Sequence, residues 1–116
     1  MPGMHEVSLI ESVVAIVADE RKRQVFSRVR TIRLELGALG HAEPDALRFC
    51  FAAVTKGTIA DGARLMIDII PGEGRCSGCG ERVAMVDRFA ICPLCGSPSV
   101  LMMAGGALRV AELEVE

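Results

Sequence analysis

"CSGCGERVAMVDRFAICPLCG", residues 76–96, decides how this chain has to be organised. Cys76 and Cys79 form one C-x-x-C pair, Cys92 and Cys95 form another, and twelve residues lie between them. A glycine follows each pair, Gly80 and Gly96, and lets the backbone turn so that amide N–H groups can approach the sulfurs. Two such knuckles can close a tetrahedral four-thiolate site, the geometry zinc favours, with Zn–S near about 2.3 Å. The competing reading is a pair of disulfides. A segment of about thirty residues buries too little surface to fold unaided, so it needs one staple or the other. In a reducing compartment the disulfide is disfavoured, and a bound metal supplies on the order of 10 kcal/mol in small zinc modules. With every position filled by cysteine, such a metal is structural and not hydrolytic.

Working outward, the cysteine segment is bracketed by "PGEG" (71–74) and "AGG" (104–106), both hinge-like compositions. It therefore reads as an insert between two strands, free to move against the rest. Upstream, "ARLMIDIIPG" (63–72) is a strand ended by Pro71 and Gly72. Downstream, "GGALRVAELEVE" (105–116) is another, whose alternation slips phase between Val110 and Ala111 and so predicts a bulge. In "SRVRTIRLELG" (27–37), Ile32, Leu34 and Leu36 point one way while Thr31, Arg33 and Glu35 point the other. That is a half-buried strand.

Two helices complete the body. Ser8 and Glu11 form an S-x-x-E capping box, predicting a helix over about 9–23 and leaving "MHEV" (4–7) extended ahead of it. Leu9, Ile10, Val13, Val14, Ile16 and Val17 give that helix a wide apolar face. After the loop "GALGHAEPD" (37–45), Pro44 opens a second helix with the stripe Leu47, Cys50, Phe51 and Val54, and Gly57 ends it. The expected fold class is α+β, a two-layer α/β body with two helices on a three- to four-stranded mixed sheet and an inserted zinc-ribbon module.

Composition narrows the function. Apolar residues make up 51% and charged residues 24%, the balance of a folded globular chain. The net charge of −2 argues against nucleic acid as the main partner, because phosphate binding needs clustered Lys and Arg. The insert has no basic excess: Arg82 and Arg88 face Glu81 and Asp87. The run "ERKRQ" (20–24) reads as a solvated helix end, where cations suit the dipole. With neither Trp nor Tyr and only four Phe, base stacking is poorly supported. No apolar run approaches the roughly 18 residues of a membrane span, and no signal segment opens the sequence. The expectation is a soluble cytoplasmic protein. Cys50 reads as inert core, and His41 as a loop histidine. "CPLCG" also occurs in rubredoxin-type iron sites, but Phe89 is the only aromatic residue in the insert and an electron carrier would leave the α/β body unexplained.

Taken together, "MHEVSL" (4–9), "LELGALGHAEPDALRF" (34–49), "GTIADGARL" (57–65), the two knuckles and "LRVAELEVE" (108–116) resemble the HypA/HybF family of nickel metallochaperones for nickel–iron hydrogenase maturation. The resemblance implies a protein that is not an enzyme. It implies weak Ni(II) cargo bound at His5, with Met4 and Glu6 contributing backbone nitrogens, and structural Zn(II) at Cys76, Cys79, Cys92 and Cys95. Glu43 matches a position that carries an acid in some members and is a further nickel candidate, although it also reads as a helix-start residue. The implied division is a nickel-binding α/β domain at 1–72 and 105–116 and a zinc-binding domain at 73–104. The implied partners are a GTPase maturation protein, the hydrogenase large subunit and, in some organisms, the urease maturation machinery. A homodimer is compatible with it, while nucleic acid and membrane are not among the partners.

The chemistry is consistent with that resemblance. Ni(II) takes nitrogen donors, imidazole suits it, and a terminal segment can bind and then release a metal. The sequence departs from the family at Met1, Pro2 and Gly3, which precede the Met where members begin. Pro2 has no N–H and cannot supply an amide donor, so with this extension the expectation is an altered and weaker nickel set at His5. The rival is a zinc-ribbon adaptor or nucleic-acid module that binds no nickel.

Overall fold

The computed structural model describes residues 4–40, 42–87 and 91–116. Readings at residues 1–3, His41, Arg88 and Phe89 fall outside the described residues, as does the Met4 side chain. The chain runs α1 (Met4–Arg23), β1 (Val29–Gly37), α2 (Pro44–Thr55), β2 (Arg64–Ile70), β3 (Gly72–Cys76), β4 (Arg82–Met85), β5 (Val100–Ala104) and β6 (Leu108–Val115). Two three-stranded sheets result, ordered β2-β1-β6 and β4-β3-β5.

The first sheet is mixed, as expected. Val29 donates to the Ile59 carbonyl and Ala38 to the Ile70 carbonyl, so β1 and β2 run parallel, joined by a crossover through α2. Glu116 donates to the Arg28 carbonyl and Gly37 to the Ala107 carbonyl, so β6 runs antiparallel to β1. The alternation read in β1 holds: Ile32, Leu34 and Leu36 are buried, and Thr31, Arg33 and Glu35 are half-buried on the other side. The phase slip expected in β6 is present, since Val110 and Ala111 are consecutive half-buried residues in an otherwise alternating strand.

Residues divide into two compact units. The first comprises Met1–Leu34, Ala42–Ile67 and Val110–Glu116; the second comprises Glu35–His41 and Asp68–Arg109. In the first unit α1 packs on α2, and Ile10, Val13, Val17, Ile32, Leu34 and Leu47 are fully buried. In the second unit one buried cluster is Cys76, Val83 and Cys92, with Val100 packed against them, and Leu36, Leu39 and Met85 are buried as well.

Two sequence expectations are corrected. α1 begins at Met4, not at residue 9, so "MHEV" is helical and Ser8 lies inside the helix. Met, His, Glu and Val all tolerate a helix, and an acid such as Glu6 in the first turn suits the dipole. The Gly-rich flanks likewise carry strand residues that the sequence pattern does not announce. "GEGRC" is β3 and "VLMMA" is β5, paired antiparallel from Glu73↔Ala104 to Cys76↔Val100 with an irregularity at Glu73/Gly74.

Candidate metal centres

The four cysteines sit where the second sheet ends. β3 delivers Cys76 at its last residue, held on one side by β4 (Arg75↔Arg82) and on the other by β5 (Cys76↔Val100). Each knuckle then turns in the same way. Gly80 donates to the Cys76 carbonyl and Gly96 to the Cys92 carbonyl, both at 2.8 Å, and both glycines take φ of +77°. That φ lies in the left-handed region, which side-chain-bearing residues resist, so glycine is what lets each knuckle close. Cys76 N–H also reaches the Glu81 carbonyl at 3.0 Å, and Cys92 N–H reaches the Ser97 carbonyl at 2.9 Å.

The sulfurs converge. Cys76 Sγ lies 3.5 Å from Cys95 Sγ, Cys79 Sγ lies 3.8 Å from Cys92 Sγ, and all four lie within 4.8 Å of one another. A tetrahedron with metal–sulfur bonds of about 2.3 Å has edges of about 3.8 Å, so the donors fit a four-thiolate metal. The separations are far beyond a disulfide bond of about 2.05 Å, and every described cysteine is free. Cys76 and Cys92 are buried while Cys79 and Cys95 are exposed, so the site has one closed and one open side.

Charge within the cluster also calls for a cation. The Cys79 N–H, helped by the Cys95 thiol and by the Gly78 N–H at 3.3 Å, pulls the Cys76 thiol down to about 6 against its burial. The Ser97 N–H favours the Cys95 thiolate, but the neighbouring Cys76 sulfur and burial outweigh it and push Cys95 up to about 12. Cys79 is raised as well, the Glu81 N–H being outweighed by burial and by its Cys76 and Cys92 neighbours. Four thiolates this close cannot coexist without a counter-charge, and a divalent soft-metal ion supplies it. Since the protein provides all four donors, no coordination position is left for substrate.

The N-terminal candidates are arranged differently. His5 is exposed in the first turn of α1. Glu6 is half-buried because it heads the inward stripe Glu6, Ile10, Val13, Val17, spaced four, three and four residues apart. Burial raises the Cys50 thiol, and the charge of the Glu6 carboxylate adds to the rise. Cys50 Sγ points to the Leu47 carbonyl at 3.5 Å, the geometry of a packed core thiol. Glu43 is exposed at the N-cap of α2, with extended backbone and no side-chain capping bond. Among the described residues, the four cysteines are the only group of three or more His, Cys, Asp or Glu donors that converges; His5, Glu6 and Glu43 do not form one.

An α/β body with a crossover helix, together with a four-thiolate cluster fit for a metal ion, defines a small metal-handling protein. Residues 4–115 match the family model described as hydrogenase/urease nickel incorporation, metallochaperone, HypA, and the chain belongs to that family. It is 70% identical over 113 residues to the hydrogenase maturation factor HypA of Methylocella silvestris, covering 97% of this chain and all of that one. It is 48% identical over 112 residues to the HypA of Rhizobium leguminosarum bv. viciae. The solution structure of the Ni metallochaperone HypA from Helicobacter pylori shares the fold, with a TM-score of 0.73 over 95% of this chain and 96% of that one, at 19% identity. Members of this family are maturation factors and not enzymes. Among the described residues no helix is long and apolar enough to cross a membrane.

Proposed function

We propose that this chain carries Ni(II) on the His5 imidazole and on the backbone nitrogens of Met4 and Glu6, with a structural Zn(II) held by Cys76, Cys79, Cys92 and Cys95. Working in the cytoplasm with a GTPase maturation partner, it passes nickel to the large subunit of nickel–iron hydrogenase, and to the urease machinery where that exists. Nickel handling belongs to 1–72 and 105–116, and zinc binding to 73–104. The observation that carries the reading is the placement of His5. It is exposed on the first turn of α1, where the first four N–H groups of a helix have no intrahelical acceptor. Imidazole and backbone N–H groups without intrahelical acceptors therefore occur together on an accessible segment, and once those N–H groups release their protons to water, the amidate nitrogens and the imidazole suit Ni(II). Glu43, exposed and making no cap bond, is available as an additional oxygen ligand.

The test is a calorimetric Ni(II) titration of zinc-loaded protein, wild type against His5→Ala. The expected result is one nickel site in the wild type, lost in the variant, with zinc unchanged at one per chain. Nickel binding indifferent to His5 would overturn the assignment.

A further inference from the structure

We propose that Ser8 is a positioning residue for nickel: it becomes the N-cap of a shortened α1 when the first turn unwinds around the ion. The inference rests on the nickel reading above and concerns what the chain must do to satisfy it. Two helix starts coexist in this segment. The structure uses the one at Met4, while the capping box at Ser8 and Glu11 goes unused. Both of those side chains are exposed, and neither is engaged by another described residue; only the Ser8 carbonyl is, accepting the Ser12 hydroxyl at 3.0 Å.

Cargo selects between the two starts. A metal held by successive backbone nitrogens closes N–Cα–C–N rings, which needs ψ near zero, whereas helical ψ is about −42°. Helical N–H groups also point nearly parallel along the axis, so their nitrogens do not aim at a common point. The first turn therefore cannot remain helical while Met4, His5 and Glu6 nitrogens share an ion. Unwinding it takes the carbonyls of residues 4–7 away from the N–H groups of residues 8–11. The capping box restores two of those four donors. Ser8 Oγ accepts from the Glu11 N–H, and the Glu11 carboxylate accepts from the Ser8 N–H. The Leu9 and Ile10 N–H groups are left open. The change stops there because Ile10 is fully buried and anchors the remaining helix.

The experiment measures nickel affinity and residue-resolved amide exchange on the same zinc-loaded full-length samples: wild type, Ser8→Ala and Ser8→Asn. Ser8→Ala removes the second cap and favours the longer helix, so it should bind nickel about fivefold to tenfold more weakly. Ser8→Asn keeps a cap of equal quality and should stay within about twofold of wild type. Nickel should speed exchange at Leu9 and Ile10 and leave Val13 and Val17 protected. One bound nickel with unchanged exchange at Leu9 and Ile10, or with equal affinity in Ser8→Ala, overturns the inference while leaving the nickel site standing. Absence of any His5-dependent nickel overturns the site, and the inference with it.

Discussion

At the scale of single residues, the cysteine cluster divides its protons unevenly. In the metal-free chain Cys76 is held down to about 6 and is largely thiolate at neutral pH, whereas Cys95, pushed up to about 12, and Cys79, also raised, keep their protons. A metal takes thiolates only, so each raised thiol must give up a proton on binding and protons compete with the ion. The sign follows: zinc affinity falls as pH falls. With at least Cys79 and Cys95 releasing protons near neutrality, the apparent affinity should drop by about a hundredfold or more per pH unit. Below about pH 6 the slope should steepen as Cys76 joins them. Competition against a chromophoric chelator across about pH 5.5 to 8 measures this directly. A pH-independent affinity would mean that the cluster is already fully ionised, contrary to the mutual repulsion of its sulfurs.

The elements separate what could be read from the sequence from what could not. β1 and α2 were legible because their burial pattern is carried by side chains alone: Ile32, Leu34 and Leu36 at alternate positions, and Leu47, Cys50 and Phe51 on one helix face. The knuckles were legible because two glycines and four cysteines leave few other ways to fold. α1 was misread at its start because a capping box competes with a segment that is equally able to be helical. Local propensity cannot rank two ends separated by a single turn. β3 and β5 were missed because Gly72, Gly74 and the uniformly apolar "VLMM" show no alternation; their strand character comes from pairing with each other. Glycine there serves close approach and not flexibility. A Cβ at Gly37 would overlap the Gly105 carbonyl, and Gly105 itself has φ of +92° with Pro71 and Gly72 backbone against it. Leu39 N–H donates to that same Gly105 carbonyl at 2.8 Å, so the crossing is stitched as well as crowded. Gly37→Ala should therefore cost about 1–3 kcal/mol, read as a lower urea midpoint with unchanged metal content. A neutral result would show that the two backbones can separate, which is the behaviour of a hinge.

Across the whole molecule, the two units depend on different sources of stability. The first buries Ile10, Val13, Val17, Ile32, Leu34 and Leu47 completely, a conventional apolar core for two helices and the sheet they accompany. The second buries fewer large apolar side chains, Leu36, Leu39, Val83 and Met85, and its cluster around Val83 is completed by Cys76 and Cys92, two of the four candidate metal ligands. Its exposed apolar side chains, Leu94, Leu101 and Met103 among them, add little to that core. A cluster in which two of three buried side chains are candidate ligands should not outlast a bound ion, because the freed thiols would face one another without a counter-charge and with little beside them to pack on. Stripping the metal with a strong chelator should thus abolish amide protection over residues 72–76 and 100–104. The helical signal of α1 and α2 in far-ultraviolet circular dichroism should persist, and protection at Val13 and Val17 should remain. Restoring zinc should return protection to the strands in one cooperative step. Simultaneous loss of helix and strand on chelation would mean that the two cores stand or fall together, and the four-cysteine site would then be a determinant of the whole fold, α1 included.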